Sequence, residues 1–332
     1  MDILINKSGK PVCTQAEYAK RREEIKEHLA ISVYGRIPPR PDHLRGDTVT
    51  KDESFAAGDA VLREIALTLT IDGKEERLPI RSVVPSGEGK FPAFIYVDYG
   101  SDIPNKYLPA EEIAERGYAI FCLSYKDMFG DGRDSKSRIA KFIAPSDRRK
   151  DTPGRIALLA WAISRIVEFI GTLPYIDTKN IAVIGHGTLA RAALVAGGYD
   201  ERIKYVILNN LEFSEHYISH PELFGKRFWD NGSGTCDLLA LALCVPRHII
   251  VGMAINDSAS DNLLGLESLT ALSGAYTLFE LPGLCAESIN TDEPITLSNE
   301  RIFYRLRSGP AYLSRKDWNA YIDYINSAKN KL

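Results

Sequence analysis

The sequence predicts an α/β protein, a mostly parallel central sheet flanked by helices and entered through an N-terminal helix and antiparallel opening strands. Three observations predict it. From Phe91 onward short apolar runs alternate with helix-length segments, the signature of parallel strands joined by crossover helices. Within that region Ile181-Ala-Val-Ile184 is apolar on both faces, as a strand inside a parallel sheet must be, and it breaks at Gly185-His-Gly187 into an alanine-rich helix. Before Phe91, Ile65, Leu67, Leu69 and Ile71 alternate with Ala66, Thr68 and Thr70, and Asp72-Gly73 suits a hairpin.

Taken in order, residues 14–31 read as a helix opened by the capping box Thr14-x-x-Glu17, in which each side chain satisfies the other's free N–H. Tyr34-Gly-Arg-Ile-Pro-Pro-Arg-Pro41 then forces an extended crossing segment, because three prolines and a glycine cannot continue the helix. Strand signals fill 47–71 and, after the hairpin, 77–84. The alternating part follows as strand 93–97, helix 109–116, strand 118–124, a long loop with Asp127 and Gly130, and helix 154–173. Strand 181–184 and its helix come next, then strand 205–208 and an irregular insertion over 209–236. Helix 237–243, strand 248–253, helix 262–273, strand 276–279 and helix 315–326 complete the chain. We divide it into residues 1–45, the helix and crossing segment packed on the main domain, and residues 46–332, the main domain.

Composition bounds the function. With 332 residues, 45% of them hydrophobic, the chain can bury a sizeable core, and a net charge of -3 makes no electrostatic case for nucleic acid or an anionic membrane as partner. The five cysteines are scattered without Cys-x-x-Cys spacing and read as core thiols of a reduced compartment. Met1-Asp-Ile-Leu-Ile-Asn-Lys7 has neither a basic region nor an apolar one, so a cytoplasmic location is expected. Glu212, His216 and His220 recur at four-residue intervals, but without a third histidine or a clear general base no metal site is expected, and no cofactor. His248, opening a core strand, reads as a satisfied buried histidine.

Several segments together resemble one branch of the α/β-hydrolases, the glucuronoyl esterase and acetyl xylan esterase-like proteins. They include Val33-Tyr-Gly-Arg-Ile-Pro-Pro39, Glu115-Arg-Gly-Tyr-Ala119, Trp161-Ala-Ile-Ser-Arg165, Ile184-Gly-His186, Asn209-Asn210, Leu241-Ala-Leu-Cys-Val-Pro-Arg247 and Arg315-Lys-Asp-Trp318. The resemblance implies an α/β-hydrolase fold whose strand-to-helix turn at Gly185 is the nucleophile elbow, where Gly-x-Ser-x-Gly exposes a serine above the sheet. In those esterases the turn looks like Gly-His-Ser-Arg-x-Gly-Lys-Ala. Here Gly187 stands for the serine, Thr188 for the oxyanion-holding arginine and Arg191 for the lysine. The family's histidine segment, Arg-x-Gly-x-His-x-Leu-Thr-Arg-x-Asp-Trp, reads Arg307-Ser-Gly-Pro-Ala-Tyr-Leu-Ser-Arg-Lys-Asp-Trp318, which puts Ala311 at the general base. Asp257 matches the acid.

Removing the serine or histidine of a triad costs on the order of 10^6 in turnover. The expectation is therefore a catalytically degenerate esterase-like protein with vestigial triad positions Gly187, Ala311 and Asp257 and Thr188 at the oxyanion position. It would bind a small carbohydrate or carboxylate through Arg191, Trp229 and Arg307. Thr188 is expected to cap the helix rather than attack, and His186 to support the turn rather than act as a base. The alternative is an active carboxylic-ester (carbohydrate) hydrolase with a rearranged catalytic site.

Overall fold

In a computed structural model, residues 2–130, 138–144, 151–213, 221–225, 236–257, 261–285 and 291–330 are described. The Thr14 capping box forms as read and starts helix α1, Gln15–Ser32. This helix packs onto the sheet domain, with the Tyr18 hydroxyl donating to the Ala242 carbonyl at 2.8 Å. Strands β1 (His43–Asp52), β2 (Ala60–Ile71) and β3 (Lys74–Pro85) form an antiparallel ladder. Asp72 and Gly73 turn between the last two with φ of 50° and 71°, the left-handed pair that a tight hairpin requires.

The parallel part contains β4 (Phe91–Asp98), β5 (Ala119–Ser124), β6 (Ile176–His186), β7 (Tyr205–Asn209), β8 (His248–Ala254) and β10 (Ile302–Arg307), with β9 (Ile295–Ser298) antiparallel at the edge. Among the described residues the sheet order is β1-β2-β3-β5-β4-β6-β7-β8-β10-β9. Its helices are α2 (Ala110–Glu115), α3 (Tyr125–Phe129), α4 (Arg138–Ile143), α5 (Arg155–Ile170), α6 (Ala190–Tyr199), α7 (Cys236–Ala242), α8 (Asn262–Ala271), α9 (Ser273–Thr277) and α10 (Arg315–Lys329).

Strand alternation divides the core. Ile181 and Val183 face a cluster with α1, α5 and α6, whereas Ala182 and Ile184 face a second cluster with Ile113 of α2 and Trp318, Tyr321 and Ile325 of α10. Burial on both faces is why this run carries no polar residue.

Three expectations are corrected. Short helices α3 and α4 occupy part of the expected long loop. The expected strand 276–279 is instead helical through Thr277, the Tyr276 hydroxyl donating to the Arg247 carbonyl at 2.8 Å. Short apolar runs do not separate strand from helix by period. The last strands are β9 and β10, which the sequence reading left unassigned.

His248 is buried as expected, with both ring nitrogens engaged: Arg301 Nη1 meets Nε2 at 2.8 Å and the Tyr324 hydroxyl meets Nδ1 at 3.1 Å. Arginine only donates, so Nε2 accepts and the ring is neutral with its hydrogen on Nδ1. Burial, reinforced by Arg301 and Lys204, lowers its pKa to about 3. Between that value and the ordinary 6.5 the unfolded chain binds the extra proton, so stability falls as pH drops through this window. We expect this group to cost roughly 2 kcal/mol between pH 7 and pH 5. Urea unfolding of wild type and His248→Asn across that range should converge as pH falls; parallel curves would show that His248 does not titrate on unfolding.

Candidate active site

Strand order reverses around β4, whose neighbours are β5 and β6, and in open α/β sheets ligands bind beyond the carboxyl ends at such a point. Residues ending these strands therefore define the candidate site. Val97 pairs with Gly185, His186 with Asn209, and Asn209 with Gly252, so Asp98, His186, Asn209 and Gly252 line up across four strands. Counted from Tyr96, Ile184, Ile207 and Ile250, all four share the face covered by α10.

The strand-to-helix turn after β6 is built as the glycines require. A Cβ on Gly185 would fall on the Leu189 carbonyl, so only glycine allows strand and helix to approach this closely. Gly187 follows with φ +57°, and a Cβ built there meets nothing within 4 Å. The space above the turn is open.

His186, the residue before Gly187, ends β6 on the face covered by α10. Its Nδ1 lies 2.7 Å from Asn209 Oδ1, and Asn209 Nδ2 donates to the Tyr321 hydroxyl at 2.7 Å. Burial lowers the histidine's pKa, with hydrogen bonding to Asn209 opposing the shift. The ring is thus neutral at pH 7. Tyr107 lies beside it with centroids 5.2 Å apart, and Tyr312 lies 4.8 Å from Tyr107. These contacts bring the loop holding Ala311 next to the turn. Asp98 anchors the loop after β4, accepting from Tyr99 N and from Asn105 Nδ2, both at 2.7 Å. Burial raises its carboxyl above the ordinary value.

The other expected site residues are placed as follows. Asp257 accepts from Asn210 Nδ2 at 3.3 Å, and Asn256 N donates to the Gly309 carbonyl at 3.1 Å, which ties the loop after β8 to the loop after β10. Thr188 does not cap the helix; its hydroxyl donates to Glu212 Oε1 at 3.1 Å. Arg191 is 1% exposed, held by both carboxylate oxygens of Asp237 at 3.1 and 3.0 Å and by the Glu212 carbonyl at 2.8 Å. Its charge is satisfied inside the fold, which corrects its expected role on a ligand. Arg307 likewise spends its donors on Asp317 and on the carbonyls of Ser308, Pro310 and Tyr312, fixing the turn before α10. Trp229, His216 and His220 lie outside the described residues. Among the described residues no group of three or more His, Cys, Asp or Glu gathers as a metal would need.

Sequence reasoning missed Asp98, Tyr107 and Tyr321. A carboxylate ending a central parallel strand was a usable signal for the first. Tyr321, 112 residues from Asn209, carried none.

The six parallel strands, the glycine turn and a site at the carboxyl edge define an α/β-hydrolase fold. The family described as glucuronyl esterase, fungi, matches residues 67–210. Carbohydrate esterase MZ0003, from an unknown prokaryotic organism, is 22% identical over 98% of this chain and 88% of its own length. The glucuronoyl esterase from Solibacter usitatus superposes with a TM-score of 0.88 at 20% identity, covering 98% of this chain and 97% of that one. A glucuronoyl esterase variant from Sporotrichum thermophile, in complex with methyl 4-O-methyl-β-D-glucopyranuronate, superposes with a TM-score of 0.64 at 18% identity over 98% of this chain and 87% of its own. The resemblance to the glucuronoyl esterase branch of the α/β-hydrolases is thus shown in sequence and in fold. These findings overturn the expectation of a catalytically degenerate protein, since the relatives and neighbours are carbohydrate esterases.

Truncating one partner of a buried ion pair strands the other charge, which costs about 3–5 kcal/mol. We expect Arg191→Ala to lower unfolding stability by that amount, read from denaturant midpoints. A variant of wild-type stability that binds substrate weakly would return Arg191 to the ligand.

Proposed function

We propose that the protein hydrolyses carboxylic esters of carbohydrate, alkyl esters of a glucuronate-type sugar acid, with water as the attacking group and His186 as the base. The observation that carries this is the neutral His186 ring, held at Nδ1 by Asn209, in the residue next to the turn glycine whose Cβ position is open. An elbow glycine has no side chain to attack with. It leaves room for a water and an ester carbonyl where a side chain would otherwise stand.

The steps balance with this chain's own groups. Water loses a proton to His186 Nε2 as its oxygen bonds to the ester carbon. The carbonyl oxygen becomes an oxyanion, and the donor we assign to it is the Thr188 N–H, in the first turn after the strand where intrahelical acceptors are lacking. The intermediate then expels the alcohol, which takes the proton from the imidazolium, and the sugar acid, formed with its hydroxyl proton, gives that proton to solvent and leaves as carboxylate. Tyr107 and Tyr312 offer ring faces on which a sugar can lie. The reaction class is supported by the esterase relatives, and the substrate by the methyl glucuronate ester in the Sporotrichum thermophile neighbour. The Thr188 hydroxyl on Glu212 supports a second reading, threonine as nucleophile with glutamate as its base.

The test is turnover of methyl and benzyl glucuronate by the purified 332-residue chain. General acid–base groups contribute roughly 10^2- to 10^4-fold, and His186→Gln should lose that much in kcat while Thr188→Val keeps most of it. Because burial lowers the His186 pKa, the base stays competent until pH drops below the ordinary 6.5, so kcat/KM should be level from neutral pH down to that value and fall only beneath it. No turnover on these esters, or full turnover in His186→Gln, overturns the reading; loss in Thr188→Val alone transfers the attack to threonine.

A further inference from the structure

The loop from β4 to α2 brings the Tyr107 ring to His186 and Tyr312. Ring contacts alone do not fix it there, since aromatic pairs tolerate centroid distances of about 4.5–7 Å. Its main chain is held at both polar groups. The Tyr107 N–H donates to Asn105 Oδ1 at 2.8 Å, and its carbonyl accepts from Trp318 Nε1 of α10 at 2.8 Å. The Leu108 N–H reaches the same Oδ1 at 3.1 Å. At the other end of that amide, Asn105 Nδ2 donates to Asp98 Oδ2 at 2.7 Å and to the Asp102 carbonyl at 2.9 Å. A main-chain N–H only donates and a main-chain carbonyl only accepts, so the amide has one orientation and makes all four bonds open to it.

We infer that Asn105, anchored on Asp98, is a positioning residue that holds the Tyr107 ring beside His186 and so fixes one of the ring faces on which the sugar lies. Asp98 ends β4, which is locked between β5 and β6 with Val97 paired to Gly185. Its carboxyl is a fixed point next to the strand that ends in His186, and the amide ties Tyr107 to that point across the loop.

Without the amide, Tyr107 keeps one of its two main-chain bonds and the ring can turn away from the histidine. A platform that touches substrate and transition state equally changes KM rather than kcat. The sugar's place on the ring rests on the proposed hydrolysis; the ring's place beside His186 does not.

Two readouts on the 332-residue chain test this. One is the NMR resonance of the proton on His186 Cε1, which a neighbouring aromatic ring displaces; the other is kinetics on methyl glucuronate. The resonance is assigned by its loss in His186→Gln, and Tyr107→Leu gives the size of the displacement. Asn105→Ala should move it in the same direction by at least half as much. It should also raise KM roughly 5- to 10-fold, the effect of about one hydrogen bond, with kcat within about threefold. Exchanging the two partners decides the matter if Asn105→Ala fails to fold. Asp98→Asn turns an NH2 toward either the Tyr99 N–H or the Asn105 NH2, and Asn105→Asp places two carboxylates together. Each alone should act as Asn105→Ala does. In the double exchange, residue 98 accepts from the Tyr99 N–H and donates to residue 105, which still accepts from Tyr107 and Leu108. The Tyr96 hydroxyl, also bonded to Asp98, can donate or accept, so it tolerates either side chain. The double exchange should therefore recover most of the loss. A His186 resonance unmoved by Asn105→Ala or by both single exchanges, or a double exchange no better than its worse single, overturns the inference. The expected resonances in a chain that turns over no ester would sink the hydrolysis and leave the positioning role standing.

Discussion

Strand β6 and helix α6 can meet as they do only because residue 185 lacks a side chain, since a Cβ there would fall on the Leu189 carbonyl and the Ala190 backbone. The site depends on this close approach. It bends the chain so sharply that Gly187 adopts φ +57°, a conformation that costs other residues strain. It also sets the N-terminus of a helix, whose first N–H groups lack intrahelical acceptors, at the carboxyl edge of the sheet. Because β6 lies inside the sheet, the ends of β4 and β7 flank the turn and supply Asp98 and Asn209.

The two-residue period of strands then decides which helix supports the site. Even-numbered positions of β6 face α10, so His186 points to that side, and the pairing of His186 with Asn209 and Asn209 with Gly252 keeps the neighbours on it. A one-residue slip of β7 would send Asn209 to the opposite face, away from Tyr321. The hydrophobic cores on both faces hold the register, and so the packing energy of Ala182, Ile184, Ile207 and Ile250 fixes the geometry of a polar cluster to which they contribute no polar atom.

Where local chemistry sufficed, the sequence was legible. The Thr14–Glu17 box, the Asp72-Gly73 hairpin, the apolar run of β6 and the glycine turn after it each contain their own physical cause within a few residues. Residues 276–279 were misread because an aromatic, β-branched run fits a buried strand and a buried helix equally well; the bonds from Tyr276 N to the Leu272 carbonyl and from the Tyr276 hydroxyl to the Arg247 carbonyl go with the helix. Arg191 and Arg307 were read as ligand-binding because an arginine near a pocket attracts that reading. Their carboxylate partners, Asp237 and Asp317, become neighbours only through the fold. Asn209 was visible as a residue of the family segment, but not the tyrosine hydrogen-bonded to it.

The fate of those two arginines bears on the chemistry. A guanidinium in a site binds carboxylate in bidentate fashion and strongly, which suits a protein that retains an acid. Here both guanidinium groups are consumed by internal carboxylates, Arg191 in the core and Arg307 in the turn that carries Ala311 to the site. A neutral ester needs no such partner, since its carbonyl gains charge only as the tetrahedral intermediate forms, and oriented N–H groups meet that charge without holding the acid that follows. On the proposed hydrolysis, directing arginine to the scaffold and leaving a neutral histidine beside aromatic faces favours the step over its product. The same ion pairs stiffen the loops on which that histidine's surroundings depend, so the charge withheld from the ligand is what keeps the site in place.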